Sequence, residues 1–170
     1  FIVHITGILR SYNLGFINIY SRSKRAKTVV VDICIACGYS IAGFIDENPI
    51  NHGSMVLDWR VIGGREAIPH GAYAAIGIGN NAIRSELFSY LENAVCLFPV
   101  LIHPSAAISL FASIGAATVV LPHVVMNARA TAGSGCFINK SSSVDHNCLV
   151  GNFVHIAPWC SLSGWDKCLR

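Results

Sequence analysis

The chain has 170 residues, of which 53% are hydrophobic and 12% charged, and its formal net charge is +3. So small a charge does not favour nucleic-acid binding. The sequence contains no run of eighteen apolar residues without a polar residue in it, so a membrane-spanning helix is not expected. Seven cysteines without a visible secretory signal predict reduced thiols and a cytoplasmic location. Because the first residue is Phe1, the amino terminus is expected to be cut or altered.

Residues 14 to 100 alternate strand-like and helix-like segments. Three apolar runs bounded by turn residues predict strands, which are Leu14–Tyr20, Ser40–Ile45 and Tyr73–Ile78. Helices are predicted over Ala26–Cys37 and from a cap at Asn80 or Asn81 through Leu91. This alternation predicts a small α/β domain over residues 1–98. Its parallel sheet of βαβ units would bind ligands at the carboxyl ends of the strands.

Two local patterns in this domain have structural interpretations. The basic stretch from Arg22 to Lys27 is interpreted as a solvated turn. Cys34 and Cys37 form a C-x-x-C inside a predicted helix, and no second pair follows at the spacing of a zinc site. Helix packing is therefore the favoured interpretation and no metal is expected. A site built from His and Cys is kept as an alternative hypothesis.

From Ile102 onward an apolar residue returns at every sixth position. These positions are Ile102, Ile108, Ile114, Val120, Met126, Ala132, Ile138, Val144, Val150, Ile156 and Leu162. Four places after each of the first ten comes a small or compact residue, from Ala106 to Cys160. A period of six fits neither a helix nor a strand, but it fits a parallel β-helix in which three hexads close one turn. We therefore predict an all-β domain over residues 99–170 with about three and a half turns, rather than a few buried strands with coincident spacing.

The middle of this run carries a recognisable motif. The segment from Ile138 to Cys148, which contains Val144-Asp145-His146, resembles the active-site stretch of the bacterial sugar acyltransferases. Val150 to Pro158 continues the resemblance, and Gly43 to Pro49 is similar to the sheet domain of that family. Over residues 14 to 164 the pattern resembles that of the sialic-acid O-acetyltransferases (NeuD-type) and the UDP-amino-sugar N-acetyltransferases.

The resemblance implies a fold and a reaction. The fold is a small α/β domain followed by a left-handed parallel β-helix. The reaction moves an acetyl group from acetyl-CoA to an amine or hydroxyl of a sugar or nucleotide sugar. By this comparison His146 is the general base, Asn139 helps to orient the acceptor, and His155 lies near the CoA thioester. The backbone amide of Gly164 would face the thioester oxygen, and Asp46 sits where the sheet domain would contact the acceptor.

The spacing of these residues is compatible with acyl transfer, which needs a base and a hydrogen-bond donor to the developing oxyanion. His146 and Gly164 are one full turn apart, so they are predicted to stack in adjacent coils. Asp145 and Asn147 flank His146; Asp145 is expected to serve catalysis, reaching the imidazole only through a bend or across a corner, and Asn147 to contact substrate. His155 lies on another side of the coil and would approach His146 only from a neighbouring subunit, which predicts a site within a homotrimer.

Three departures from the family bear on function. Relatives carry a glycine-rich turn after the first strand, but this chain has side chains from Tyr20 to Lys27, so the usual contact with a UDP-sugar is not expected. Relatives also continue for further turns, whereas here Trp165 to Arg170 keeps no hexad, which is expected to weaken CoA binding. Asn147 occupies a position that is often acidic in relatives, which removes one possible partner for the base. The alternative function is a non-catalytic trimeric module for ligand binding or assembly.

Overall fold

The computed structural model describes residues 14–22 and 24–169, with only the backbone of residues 24–26. These residues divide between Pro99 and Val100 into two compact units. Residues 1–13 of the predicted α/β domain lie outside the described part. So do Ser23 and the side chains of residues 24–26 in the predicted basic stretch. Among the described residues, no helix combines the length and the apolar character needed to span a membrane.

The unit that ends at Pro99 is built on a five-stranded sheet. Its strands are β1 (Phe16–Tyr20), β2 (Ser40–Ile45), β3 (Met55–Val56), β4 (Trp59–Gly63) and β5 (Tyr73–Ile76). Helix α1 (Lys24–Ala36) connects β1 to β2, and helix α2 (Asn81–Asn93) follows β5. The spatial order is β3-β4-β2-β1-β5, and β4, β2, β1 and β5 run parallel. The three predicted strands and both predicted helices are therefore present.

The hairpin of β3 and β4 makes the sheet mixed. These strands pair antiparallel and are joined by the two residues Leu57 and Asp58. Leu57 has a φ of 51°, a left-handed conformation. Two-residue hairpin turns require such a conformation, and the residue that adopts it is usually Asn or Gly. Because this chain carries no such signal, the sequence predicts the parallel strands of the sheet but not this antiparallel edge.

Both helices are held by local features that the sequence already contains. In α1, the side chains of Val30, Ile33 and Cys34 are at most 1% exposed. This burial confirms the predicted packing role of Cys34, and it raises the pKa of the Cys34 thiol. Helix α2 is capped by Asn80, whose side-chain oxygen accepts a hydrogen bond from the backbone N–H of Ile83 at 3.1 Å.

The unit that begins at Val100 contains twelve two-residue strands within the described residues. They are β6 (Leu101–Ile102), β7 (Ala107–Ile108), β8 (Ser113–Ile114), β9 (Val119–Val120), β10 (Val125–Met126), β11 (Thr131–Ala132), β12 (Phe137–Ile138), β13 (Ser143–Val144), β14 (Leu149–Val150), β15 (His155–Ile156), β16 (Ser161–Leu162) and β17 (Lys167–Cys168). They form three parallel sheets, β6-β9-β12-β15, β7-β10-β13-β16 and β8-β11-β14-β17. Paired residues such as Val125 and Ser143 are one coil apart. The unit is therefore a three-sided parallel β-helix, as the hexad period predicts.

The interior of the β-helix is filled by the second residue of each strand, which is the apolar position of the hexad. Val120, Ile138, Val144 and Val150 are fully buried. Small hexad residues complete the same core, and they include Val124, Ala130, Cys136 and Cys148. Because each fully buried aliphatic side chain contributes about 1.5–3 kcal/mol, stacking of the coils is the main source of stability in this unit.

The hexad pattern continues one step further than predicted. Cys168 lies six residues after Leu162, and it pairs in register with Val150 of the preceding coil. It is half-buried and packs against the core. The expectation that the hexad ends at Leu162 is therefore wrong, because a cysteine fills the inward site as a small apolar residue would. Each side of the β-helix has four strands within the described residues.

The corners of the β-helix are made by residues with left-handed backbone conformation. Positive φ values recur every six residues, at Ala117, His123, Arg129, Gly135, Ser141, Asn147, Phe153, Trp159 and Trp165. Most of these are not glycine, although this conformation costs L residues roughly 1–2 kcal/mol. Backbone hydrogen bonds between coils hold the corners, as where the N–H of Asn147 donates to the carbonyl of Ala128 at 3.1 Å. One such corner carries the motif around His146.

Candidate active site

His146 lies at the corner that follows β13, and its side chain is exposed. Its backbone N–H donates to Oδ1 of Asp145 at 2.7 Å. The same oxygen accepts a hydrogen bond from Nδ2 of Asn127, in the preceding coil, at 2.7 Å. The bond from Asn127 and that from His146 hold the pKa of Asp145 below its ordinary value. Asp145 therefore positions the main chain of His146 and makes no hydrogen bond to the imidazole, which differs from the contact expected of it.

The hydrogen-bond partner of the imidazole is Asn147. Nδ1 of His146 lies 2.9 Å from Nδ2 of Asn147. Asn147 is half-buried and has a φ of 59°, a conformation that asparagine tolerates better than most residues. The residue expected to contact substrate thus contacts the candidate base. Nε2 of His146 makes no hydrogen bond with any described residue, so this ring nitrogen is available to a ligand.

The imidazole packs against Gly164 in the next coil. A Cβ added at Gly164 would lie 2.6 Å from Cε1 and 2.7 Å from Nε2 of His146, so a larger residue would displace the ring. The backbone N–H of Trp165 donates to the carbonyl of His146 at 3.1 Å, which ties the two coils together. The amide N–H of Gly164 donates to no residue in the described part of the chain. The stacking that the spacing predicts thus leaves an unused donor beside the ring.

Asn139 and His155 form a separate pair. Nδ2 of Asn139 lies 3.1 Å from Nε2 of His155, and Oδ1 of Asn139 accepts from the backbone N–H of Lys140 at 3.0 Å. The ring of His155 also lies against that of Phe137, with centroids 5.5 Å apart. Strands β12 and β15, which position this pair, belong to a different sheet from β13. Within one chain, neither Asn139 nor His155 makes a hydrogen bond to His146.

A second group of polar residues surrounds Asp46 at the carboxyl end of β2. Asp46 is 1% exposed, and its Oδ2 accepts from Nζ of Lys27 at 2.6 Å and from Nδ2 of Asn51 at 3.0 Å. Its Oδ1 accepts from the backbone N–H of Asn48 at 3.0 Å. Burial by itself would raise the pKa of Asp46, but these hydrogen bonds, above all that from Lys27, lower it. The solvated-turn interpretation is therefore wrong at Lys27, and direct substrate contact by Asp46 stays a prediction.

Glu47 joins the carboxyl ends of three strands, a role that no pattern in the sequence predicted. Its Oε1 accepts from the hydroxyl of Tyr20 and from Nε of Arg65, the latter at 3.2 Å. Burial, then the bond to Glu47, raises the pKa of Tyr20. Burial also acts to raise the pKa of Glu47, but the bonds from Tyr20 and Arg65 lower it. The available signal was a second carboxylate in the turn after β2, and nothing near Arg65 marked it as the partner.

The cysteines of the β-helix have packing and hydrogen-bonding roles. All seven cysteines of the chain are free thiols. Sγ of Cys136 donates to the carbonyl of Gly151 at 3.0 Å, and Sγ of Cys148 donates to that of Ser163 at 2.8 Å. Across the part of the chain that the structure describes, no three His, Cys, Asp or Glu side chains converge as a metal site would require.

Comparison with known proteins relates both units to sugar-modifying enzymes. Residues 17–91 match the PglD N-terminal domain family. The chain is 30% identical to the acetyltransferase domain of PglB from Neisseria gonorrhoeae, with a TM-score of 0.77 over 88% of this chain and 74% of that one. It is 26% identical to a perosamine N-acetyltransferase from Caulobacter crescentus, with a TM-score of 0.83 over 93% and 76%. WeeI from Acinetobacter baumannii, at 21% identity and a TM-score of 0.68 over 91% and 72%, shares the fold.

These relationships settle the class of protein. A small mixed sheet followed by a left-handed parallel β-helix is the fold of the matched acetyltransferases, so the predicted fold class is confirmed. The chain belongs to the sugar acyltransferases of the left-handed β-helix superfamily, with a PglD N-terminal domain as its first unit. The predicted family is therefore confirmed as well.

Replacing Gly164 with alanine is expected to displace the ring of His146, because the new Cβ would lie within 2.7 Å of two ring atoms. The ring is exposed and can swing outwards, so the free energy of unfolding should fall by less than about 1 kcal/mol. A crystal structure should show the contact between His146 and Asn147 broken. Gly151→Ala is the matched control, since its Cβ would meet no atom closer than 3.5 Å. An unmoved ring in Gly164→Ala would contradict this account of the corner.

Replacing Lys27 with methionine is expected to lower the free energy of unfolding by about 3–5 kcal/mol, because the buried Asp46 carboxylate would lose its cation. Urea denaturation followed by circular dichroism measures this loss. Lys140→Met is the control, since Lys140 is exposed and makes no ion pair with a described residue. A loss below about 1 kcal/mol would show that the pair is not a principal tie of the sheet unit.

The lowered pKa of Asp46 also predicts how stability changes with pH. A carboxyl group with a lower pKa in the folded chain stabilises the fold above its unfolded pKa, and this contribution disappears as the pH falls through the folded pKa. We expect the urea concentration at the unfolding midpoint of the wild type to decrease as the pH is lowered below about 4. In Asp46→Asn the contribution of this carboxylate is absent, so the decrease should be smaller. Urea titrations at several pH values measure the midpoint. An equal decrease of the urea midpoint at low pH in the two proteins would show that Asp46 does not cause it.

Proposed function

We propose that this chain transfers an acetyl group from acetyl-CoA to an amine, or alternatively a hydroxyl, of a sugar or nucleotide sugar. The observation that carries the proposal is the exposed imidazole of His146 stacked on Gly164, whose N–H is unused within the described residues. Two relatives support the donor and acceptor classes. The PglB acetyltransferase domain was solved with acetyl-CoA, and the perosamine N-acetyltransferase was solved with CoA and GDP-perosamine.

In this proposal His146 is the general base. The acceptor nitrogen attacks the thioester carbonyl carbon, forms the new carbon–nitrogen bond and loses a proton to Nε2 of His146. The carbonyl oxygen gains negative charge, which the N–H of Gly164 stabilises as a hydrogen-bond donor. Collapse of the intermediate breaks the carbon–sulfur bond, and the thiolate of CoA takes up the proton from His146. An acceptor hydroxyl would follow the same course with oxygen as the nucleophile.

A homotrimer is part of the proposal. Its support is that Asn139 and His155 form their own pair and make no hydrogen bond to His146 of the same chain. In a threefold ring with the site between neighbouring β-helices, this pair would orient the acceptor and the thioester at His146 of the adjacent protomer. Analytical ultracentrifugation at micromolar concentration tests this part, and a monomer there would remove it.

We assign acceptor binding to residues 1–98 and acetyl transfer to residues 99–170. The support for the first assignment is the carboxyl edge of the sheet, where parallel strands commonly bind ligands and where Asp46 and Glu47 organise the turn after β2. Asp46 would then shape the acceptor site through this turn, since its carboxylate is buried. Free thiols at all seven cysteines fit the proposed cytoplasmic location.

Replacing His146 with glutamine is expected to lower kcat/KM about 10²–10⁴-fold, the usual contribution of a general base, while the oligomeric state and the urea midpoint stay unchanged. The assay incubates acetyl-CoA with a panel of amino sugars, nucleotide-linked amino sugars and neutral sugars, and it detects the released CoA thiol. His103→Gln is the control, since His103 likewise follows a strand of the β-helix but contacts Ser105.

Two outcomes would count against the proposal. Undiminished turnover by His146→Gln would refute the role of His146 as base. Calorimetric titration with acetyl-CoA separates the enzyme from a non-catalytic trimeric module, because the module predicts no saturable binding. The same titration with the Gly164→Ala variant shows whether a displaced imidazole impairs the binding of acetyl-CoA, and the CoA-thiol assay of that variant shows whether it impairs the chemical step.

A further inference from the structure

The imidazole of His146 has an amide, not a carboxylate, as its hydrogen-bond partner. Its Nδ1 lies 2.9 Å from Nδ2 of Asn147. The neighbouring carboxylate of Asp145 instead binds the backbone N–H of His146 and the amide of Asn127. Among the described residues, neither Nε2 of His146 nor Oδ1 of Asn147 has a hydrogen-bond partner.

The orientation of this amide decides which ring nitrogen carries the proton. An amide nitrogen only donates, so Nδ2 of Asn147 facing Nδ1 of His146 makes Nδ1 the acceptor and leaves the proton of the neutral ring on Nε2. In that tautomer Nε2 has no lone pair with which to accept a proton from the acceptor. An amide turned by half a rotation would present Oδ1 to Nδ1–H and leave Nε2 as the basic nitrogen.

We propose that Asn147 is a positioning residue that selects the tautomer of His146, with one amide orientation holding the ring in its non-basic form and the other making it the base. The structure shows the non-basic orientation, and acetyl transfer proceeds from the turned one. This inference rests on the proposed function of His146 as general base.

The turn of the amide costs little in hydrogen bonding. Oδ1 of Asn147 has no partner to lose within the described residues, and the single contact to Nδ1 of His146 is kept with the donor and acceptor roles exchanged. The backbone of Asn147 is held at the left-handed corner by its own N–H bond to Ala128 and takes no part in the change. Both states are therefore accessible on the same main chain.

A carboxylate at this position would remove the choice. Aspartate presents only acceptor oxygens, so Asn147→Asp should hold Nδ1 of His146 protonated and Nε2 permanently basic. In serine proteases the reverse exchange, aspartate to asparagine, lowers kcat about 10⁴-fold because the ring takes the wrong tautomer. The pair in this chain is more exposed, so we expect the gain in kcat to be about tenfold, with the KM for acetyl-CoA changed less than about twofold.

The experiment reads the tautomer and the rate separately. Long-range proton–nitrogen correlation spectra of protein labelled with ¹⁵N-histidine distinguish protonated from unprotonated ring nitrogens, and the signals of His146 are those that disappear in His146→Gln. We expect the proton mainly on Nε2 in the wild type and on Nδ1 in Asn147→Asp. Ser141→Asp places the same charge at another left-handed corner and should change neither the tautomer nor kcat.

Each outcome decides one part of the inference. A wild-type ring protonated on Nδ1, or an unchanged tautomer in Asn147→Asp, would overturn the assignment. A shifted tautomer with unchanged kcat in an active enzyme would overturn the positioning role. If the wild type acetylates no acceptor, the proposed function fails, whereas the spectra still test the tautomer. Asn147→Glu carries the same acceptor oxygens and replaces Asn147→Asp if that variant does not fold.

Discussion

The narrow interior of the β-helix is the constraint on which the rest of the structure depends. A three-sided coil accommodates one inward side chain from each strand, such as Ile138 or Val144, and no coil can bury it alone. Stacking therefore aligns residues that are one coil apart, and this alignment applies to polar residues as well as to apolar ones. His146 meets Gly164 because Val144 is paired with Leu162 two residues earlier. The geometry of the candidate active site thus follows from the packing of the core.

Polar groups at this corner are divided between the main chain and the imidazole. Asp145 accepts from the backbone of His146 and from Asn127, so its carboxylate stabilises the turn and makes no hydrogen bond to the ring. Asn147 is left as the partner of the imidazole. An imidazole with a neutral amide partner lacks a charged hydrogen-bond partner to fix its tautomer, and this difference separates the corner from a histidine–carboxylate pair.

The sheet unit differs from the β-helix, because the carboxyl edge of its sheet carries two adjacent carboxylates, Asp46 and Glu47. Asp46 and Glu47 are each paired with a cation from a separate element, Lys27 from α1 and Arg65 after β4. The Asp46 carboxylate is buried, so it would cost several kcal/mol without its partner. The pair of Glu47 with Arg65 is partly exposed and adds a second contact between the turn after β2 and its neighbours. Lys27 belongs to the basic stretch from Arg22 to Lys27, and its buried ion pair with Asp46 gives this residue a structural role.

The sequence by itself determined the β-helix, the α/β order and the stacking of His146 on Gly164, because a period of six is a local signal repeated along the chain. Tertiary structure alone decided where the polar contacts go. Leu57 adopts a left-handed φ at a position where the sequence has neither Asn nor Gly to predict it. The pairing of Asn139 with His155 depends on the stacking of two coils. Likewise Glu47 meets Arg65 only once the parallel strands align. Such contacts join residues whose chain separation carries no periodic pattern, so only the packed fold brings them within hydrogen-bonding distance.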